Sequence, residues 1–100
     1  MPIDPDAIVY EDGPKKARYI HRAEGAEAEL VLSKVGEGRA IIEHTEVPDA
    51  MRGLGVGQAM VARAVVDARS AGRRLLPLCP FAAAQFRRHP EWEDVLDRRG

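Results

Sequence analysis

The hydrophobic period of the chain changes at Pro48, and this change limits the fold more than any other feature. Before Pro48 apolar and polar residues alternate, most clearly over residues 27–32, which is the pattern of half-buried strands. After it, between residues 57 and 71, apolar residues recur at helical spacing. A chain of 100 residues has the length of one domain. The pattern therefore predicts antiparallel strands followed by an α/β unit.

Turn residues divide both halves into elements. The predicted elements are strands over 19–24, 27–32 and 39–47, a helix over 57–71, a strand over 73–78 and a helix over 80–88. A strand between two helices is expected to run parallel to its neighbour, whereas short turns imply antiparallel pairs. The expected fold is α/β (α+β), in the order β-β-β-α-β-α, with a mixed, mostly antiparallel sheet flanked by helices. Residues 1–16 are expected to be an extended lead-in, with 8–11 as a candidate edge strand, and 17–97 to be the single domain.

Composition narrows the classes of function. A formal net charge of -1 argues against a nucleic-acid or membrane-surface binder, and no apolar run approaches the length of a membrane span. The first six residues are acidic and proline-containing, unlike a signal peptide. A single cysteine, Cys79, excludes an internal disulfide framework. We therefore expect a cytoplasmic protein, a monomer or a weak homodimer formed through an exposed sheet edge.

Three alternating glycines stand between the third predicted strand and the first helix, in Arg52-Gly53-Leu54-Gly55-Val56-Gly57. Glycine allows a tight turn and a close backbone approach, and a helix that starts there offers unpaired amides to an anion. The alternative is a merely tight turn, which needs fewer glycines. The next residues, Gln58 and Ala59, break both the dinucleotide fingerprint and the mononucleotide P-loop motif. The segment therefore favours a phosphorylated cofactor held by amides without a metal.

Three side chains could carry chemistry. Cys79 directly precedes the second helix, whose N-terminus would favour the thiolate, although a lone buried cysteine is more often a small hydrophobe. His44 and Glu46 are two apart on a strand and should face the same way as Ile42. Either could take a proton from an amine, and a solvated polar edge is the alternative. The spacing of the histidines predicts no metal site.

The glycine segment resembles the pyrophosphate-binding motif of the GCN5-related N-acetyltransferases, an Arg and two glycines filled here by Arg52, Gly55 and Gly57. Segments 44–48 and 77–80 are similar to the small single-domain branch of that family, and the resemblance covers about residues 17–92. It implies a GNAT-like sheet and acetyl-CoA as the cofactor. The implied cofactor-binding residues are Val47, Arg52, Gly53, Leu54, Gly55, Val56, Gly57 and Gln58. The implied catalytic residues are Cys79 as nucleophile or acid, Glu46 as the preferred base and His44 as its helper.

The function implied by this resemblance is transfer of an acetyl group from acetyl-CoA to an amine of a small molecule or a protein. Full-length members of the family carry two helices after their first strand that shape the acceptor site, and this chain has no room for them. A non-catalytic module that binds or senses acyl-CoA is therefore the alternative. A pure interaction protein is a third possibility, and the intact glycine segment argues against it.

Overall fold

The described residues contain five strands, which form one sheet in which each strand pairs with the next along the chain. The computed structural model describes residues 7–23 and 25–97. Its strands are β1 (Val9–Asp12), β2 (Lys16–Ala23), β3 (Ala26–Lys34), β4 (Arg39–Glu46) and β5 (Arg74–Pro77). The first four are antiparallel, and β5 runs parallel to β4. The α+β architecture with a mostly antiparallel sheet is therefore confirmed, and β1 corresponds to the candidate edge strand over 8–11. Residues 1–6 of the predicted lead-in lie outside the described residues.

Two α-helices share one hydrophobic core with the sheet. They are α1 (Val56–Ala71) and α2 (Pro80–Arg88), and 3-10 turns occupy Asp49–Met51 and Pro90–Val95. The core joins alternate strand residues such as Leu30 and Ile42 to the apolar stripe of α1, including Met60 and Val61, all fully buried. Both predicted helices are confirmed. The first begins one residue earlier than expected, and the second has the expected bounds. In the described ranges, both fall short of the length and hydropathy that spanning a bilayer requires.

Strand pairing extends β2 and β3 beyond their predicted ends. β2 begins at Lys16, three residues before the predicted start, because Lys16 lies opposite Ser33 of β3. Neither residue is apolar, so hydrophobic alternation does not mark these positions, whereas the backbone ladder still includes them. Glu24, the last residue of the predicted strand, lies outside the described residues.

A β-bulge interrupts the pairing of β3 with β4. Leu32 lies opposite Ile42, but the preceding residue Val31 lies opposite His44, so Glu43 is an extra residue on β4. Such an insertion shifts the alternation of side chains by one position. Before the bulge, the even-numbered side chains of β4 face the core. After it, the odd-numbered ones do.

The bulge corrects one expectation about the faces of β4. Ile42 is fully buried in the core, and Thr45, opposite Leu30, also faces the core. His44 and Glu46 are exposed on the outer face of the sheet. The prediction that both share a face with Ile42 is wrong, because the extra residue lies between them and Ile42.

The pairing between the parallel strands β4 and β5 ends at Ile42. The carbonyl oxygen of Ile42 accepts hydrogen bonds from both the Leu78 and Cys79 amides, at 3.2 and 3.1 Å. The ladder with β5 ends at Ile42 opposite Pro77, while β4 continues to Glu46 paired with β3. Within the described residues, β4 therefore has an edge without a strand partner from residue 43 onward.

The segment after the last 3-10 turn closes the far edge of β5. The Asp97 amide donates to the Leu75 carbonyl at 2.8 Å, and Leu96 forms a parallel bridge with Leu75. Asp97 is 5% exposed, and its carboxylate accepts a 2.6 Å hydrogen bond from Arg39 Nε. This ion pair ties residue 97 to the first residue of β4.

Candidate functional site

A cavity of about 360 Å³ lies between the end of β4, the glycine segment and the first turns of both α-helices. Its lining residues are Thr45, Val47, Met51, Arg52, Gly53, Gly55, Val56, Gly57, Gln58 and Phe81. This volume is within the range of small-molecule pockets. Seven of the eight predicted cofactor-binding residues line the cavity, whereas Leu54 does not and its side chain is exposed. Thr45, Met51 and Phe81 are additions that the sequence analysis missed.

The glycines of this segment are required for two different reasons. Gly53 and Gly55 have φ angles of 81° and 77°, in the left-handed region that side chains rarely adopt. Gly57 belongs to α1, where a Cβ atom would lie 2.7 Å from Cζ of Phe81. The first two glycines therefore shape the turn, and the third makes room for an aromatic ring that lines the cavity.

The start of α1 presents unpaired amides to the cavity. The first helical hydrogen bond is donated by the Ala59 amide to the Gly55 carbonyl, at 3.0 Å. The amides of Val56, Gly57 and Gln58 precede that bond, and all three residues line the cavity. Their hydrogens and the positive end of the helix dipole make this wall suited to a phosphate or another anion.

Arg52 adds a long, exposed cationic side chain to the lining of the same cavity. Its side chain is 75% exposed, and Nε lies 3.0 Å from Asp49 Oδ1. An exposed ion pair of this kind contributes little to stability. The guanidinium can therefore leave Asp49 for an anionic ligand at small cost.

Cys79 borders the cavity without lining it. It is the N-cap residue of α2, is 7% exposed, and lies next to Thr45 and near Phe81, both of which line the cavity. Burial of the thiol opposes its ionisation, but the Ala82 amide, the Thr45 hydroxyl and the Phe81 and Thr45 amides favour the thiolate more strongly. The pKa of Cys79 is consequently below the usual value for a thiol.

His44 and Glu46 lie on the other side of β4, away from Cys79. Together with Glu29 of β3 they form a group whose potential ligand atoms all lie within 4.8 Å of one another. Glu29 also accepts a 2.9 Å hydrogen bond from Arg18 Nη1. The structure thus brings the two predicted basic groups together but separates them from the predicted nucleophile by the β4 backbone.

The chain is similar to known proteins both in sequence and in fold. The family model described as GCN5-related N-acetyltransferase matches residues 18–95. The fold is similar to the NMR solution structure of a GCN5-like protein from Staphylococcus aureus, with a TM-score of 0.66 and 25% sequence identity. That match covers 93% of this chain and 94% of the other, so both have the same small single-domain architecture. With a family model that spans most of its length, the chain belongs to the GCN5-related N-acetyltransferase family.

Proposed function

We propose that the protein transfers an acetyl group from acetyl-CoA to an amine. The observation that carries this proposal is the cavity in which the unpaired amides of α1 meet the open edge of β4. Membership of the family supports acyl transfer in general. The identity of the donor as acetyl-CoA and of the acceptor as an amine is what we propose beyond this.

The residues of the cavity fit the parts of acetyl-CoA in order. The amides from Gly53 to Gln58 would hold the pyrophosphate, with Arg52 as a further cationic contact. The open edge of β4 near Val47 offers backbone groups to the amides of the pantetheine arm. An arm laid along this edge would place its thioester toward the end of β5, where Cys79 begins α2.

Two routes for the acetyl group follow from the placement of the side chains. In the first, the Cys79 thiolate attacks the thioester carbonyl and CoA leaves as a thiolate that takes up a proton. A neutral amine then attacks the acetyl-cysteine, loses a proton, and the Cys79 thiolate leaves. In the second, the amine attacks the thioester directly, Glu46 takes its proton with His44 as helper, and CoA leaves as a thiolate that takes up a proton. We favour the first route because Cys79 borders the cavity, whereas Glu46 is on the outer face of β4.

Calorimetric titration with acetyl-CoA and with free CoA tests the cavity. Gly55→Ala and Gly72→Ala form a matched pair, because both glycines have left-handed φ angles and at both a Cβ atom would meet open space. Each substitution introduces backbone strain of about 1–2 kcal/mol, but only Gly55 lies in the cavity. We expect Gly55→Ala to weaken both ligands at least tenfold and Gly72→Ala to bind as the wild type does. Absence of binding to the wild type, or equal losses in the two variants, would contradict the proposal.

A non-catalytic acyl-CoA-binding module is the second candidate function. One observation favours it: only residues 13–15 separate β1 from β2, so no helices stand there to form an acceptor site. Incubation with acetyl-CoA, followed by mass spectrometry of the protein and assays with spermidine and a lysine-containing peptide, distinguishes the two functions. Acetylated Cys79 that is consumed when amine is added supports the transferase, with Cys79→Ser as the control. Tight binding without product in any assay supports the module.

A further inference from the structure

Thr45 has a buried hydroxyl that makes no hydrogen bond of ordinary geometry. Among the described residues, its Oγ1 is the buried side-chain oxygen for which no partner is found. A buried polar group without a partner costs about 1–3 kcal/mol, so such groups call for an explanation. Valine has nearly the same shape and would avoid this cost, which suggests that the hydroxyl has a use beyond packing.

The local backbone directs this hydroxyl toward Cys79. The bulge at Glu43 turns Thr45 to the inner face of β4, where it lines the cavity. Cys79 is held alongside by the hydrogen bond from its amide to the Ile42 carbonyl, at 3.1 Å. The thiol and the hydroxyl are therefore neighbours on the same side of the sheet.

We propose that Thr45 is a positioning residue whose hydroxyl donates a hydrogen bond to the Cys79 sulfur once the thiol has lost its proton to solvent. The neutral thiol is a weak acceptor, so the hydroxyl lacks a good partner until the sulfur becomes an anion. The free-energy cost of the unpartnered Thr45 hydroxyl beside the neutral Cys79 thiol is then offset when the thiolate accepts its hydrogen bond. This role deepens the proposed function, because it rests on Cys79 as the nucleophile.

The surroundings of the sulfur support a neutral donor in preference to an ion pair. The pKa of Cys79 is lowered against the opposing effect of burial by amides and by the Thr45 hydroxyl. The described charged groups on β4, β5 and α2 lie elsewhere. Arg39 begins β4 and pairs with Asp97, whereas Glu43, His44 and Glu46 are exposed on that strand. Arg74 begins β5, and Arg87 and Arg88 end α2. Thr45 is thus the side chain best placed to alter the ionisation of Cys79.

Ultraviolet titration of the thiolate in the free, full-length protein tests this role. Cys79 is the single cysteine of the sequence, and subtraction of a Cys79→Ser titration removes the tyrosine signal. The test variants are Thr45→Val, which removes the hydroxyl at nearly constant shape, and Thr45→Ser, which keeps it. We expect Thr45→Val to lower the acid dissociation constant of the Cys79 thiol about tenfold, which raises its pKa by about one unit. Thr45→Ser should titrate like the wild type.

Chemical denaturation of the same variants separates this role from a structural one. Thr45→Val should be as stable as the wild type or more stable, because it removes an unpartnered buried hydroxyl. A wild-type titration curve for Thr45→Val, or an equal shift in Thr45→Ser, would overturn the proposal. If Thr45→Val does not fold, Thr45→Ala takes its place with the same expected shift. No CoA is present in these titrations, so a failure of the transferase proposal would leave their result unaffected.

Discussion

At the scale of single residues, the glycine segment combines two demands that look identical in the sequence. Gly55 needs its left-handed backbone angle, and a side chain there would point into open space. Gly57 has an ordinary helical conformation, but a Cβ atom there would strike the ring of Phe81. Substitutions at these two glycines should therefore weaken CoA binding for different physical reasons, backbone strain at Gly55 and crowding of the Phe81 ring at Gly57.

Gly57→Ala should fold but lose affinity for CoA. Alanine gains about 1 kcal/mol of helix propensity, which offsets part of the cost of crowding the Phe81 ring. We expect the displaced ring to narrow the cavity and to weaken CoA binding about tenfold, measured by calorimetry. The double variant Gly57→Ala with Phe81→Leu gives the methyl group room and should recover most of the affinity. If the double variant stays weak, the methyl group itself obstructs the ligand and the explanation through Phe81 is wrong.

At the scale of elements, the bulge in β4 determines which of its polar side chains lie on each face of the sheet. Without the extra Glu43, the register of Thr45 opposite Leu30 would continue directly from that of Ile42 opposite Leu32. The extra residue lies at the point where the ladder between β4 and β5 ends, and bulges bend strands. The bulge therefore coincides with the start of the open edge of β4.

Deletion of Glu43 should straighten β4 and close its open edge. The pairing of β3 with β4 would become regular, so we expect the variant to fold with stability close to that of the wild type. CoA binding should become undetectable by calorimetry, because β5 could then pair further along β4. The substitution Glu43→Ala is the control: it removes the exposed ion pair with Lys16, at 2.9 Å, but keeps the bulge and should bind normally. Normal CoA binding by the deletion variant would contradict this account of the edge.

At the scale of the whole molecule, the Arg39–Asp97 pair joins the start of β4 to the last described residues. The two residues are 58 positions apart in the chain, and Asp97 is almost fully buried while Arg39 is partly exposed. The pair lies at the opposite end of β4 from the cavity, since Arg39 is the first residue of the strand and Thr45 is near its end. It should therefore contribute to the stability of the fold without affecting the site.

Asp97→Asn should destabilise the protein by about 1.5–3 kcal/mol, the usual range for a hydrogen bond to a charged group. Urea denaturation measures this loss, and calorimetry on the folded variant should give wild-type affinity for CoA. Arg39→Gln combined with Asp97→Asn should cost less than the sum of the two single substitutions, because both remove one interaction. Strict additivity would mean that the two side chains are not coupled.

Local patterns were sufficient to predict the element order and most of the cavity lining, because turns, helix ends and glycine segments depend on neighbouring residues. The faces of His44 and Glu46 could not be predicted, since the bulge depends on how β4 pairs with residues of β3 that are ten or more positions away. Thr45 was missed for the same reason. The bond between Arg39 and Asp97 leaves no local signal at either residue.

The position of the single cysteine gives the molecule a spectroscopic reporter of its own. Cyanylation of Cys79 would place one nitrile group at the N-terminus of α2, beside the cavity. The infrared stretching frequency of a nitrile depends on the local electric field, and an arriving anion would change that field at short range. Ligand binding could then be followed by one vibrational band at one site, in a protein whose blocked sulfur no longer accepts an acetyl group.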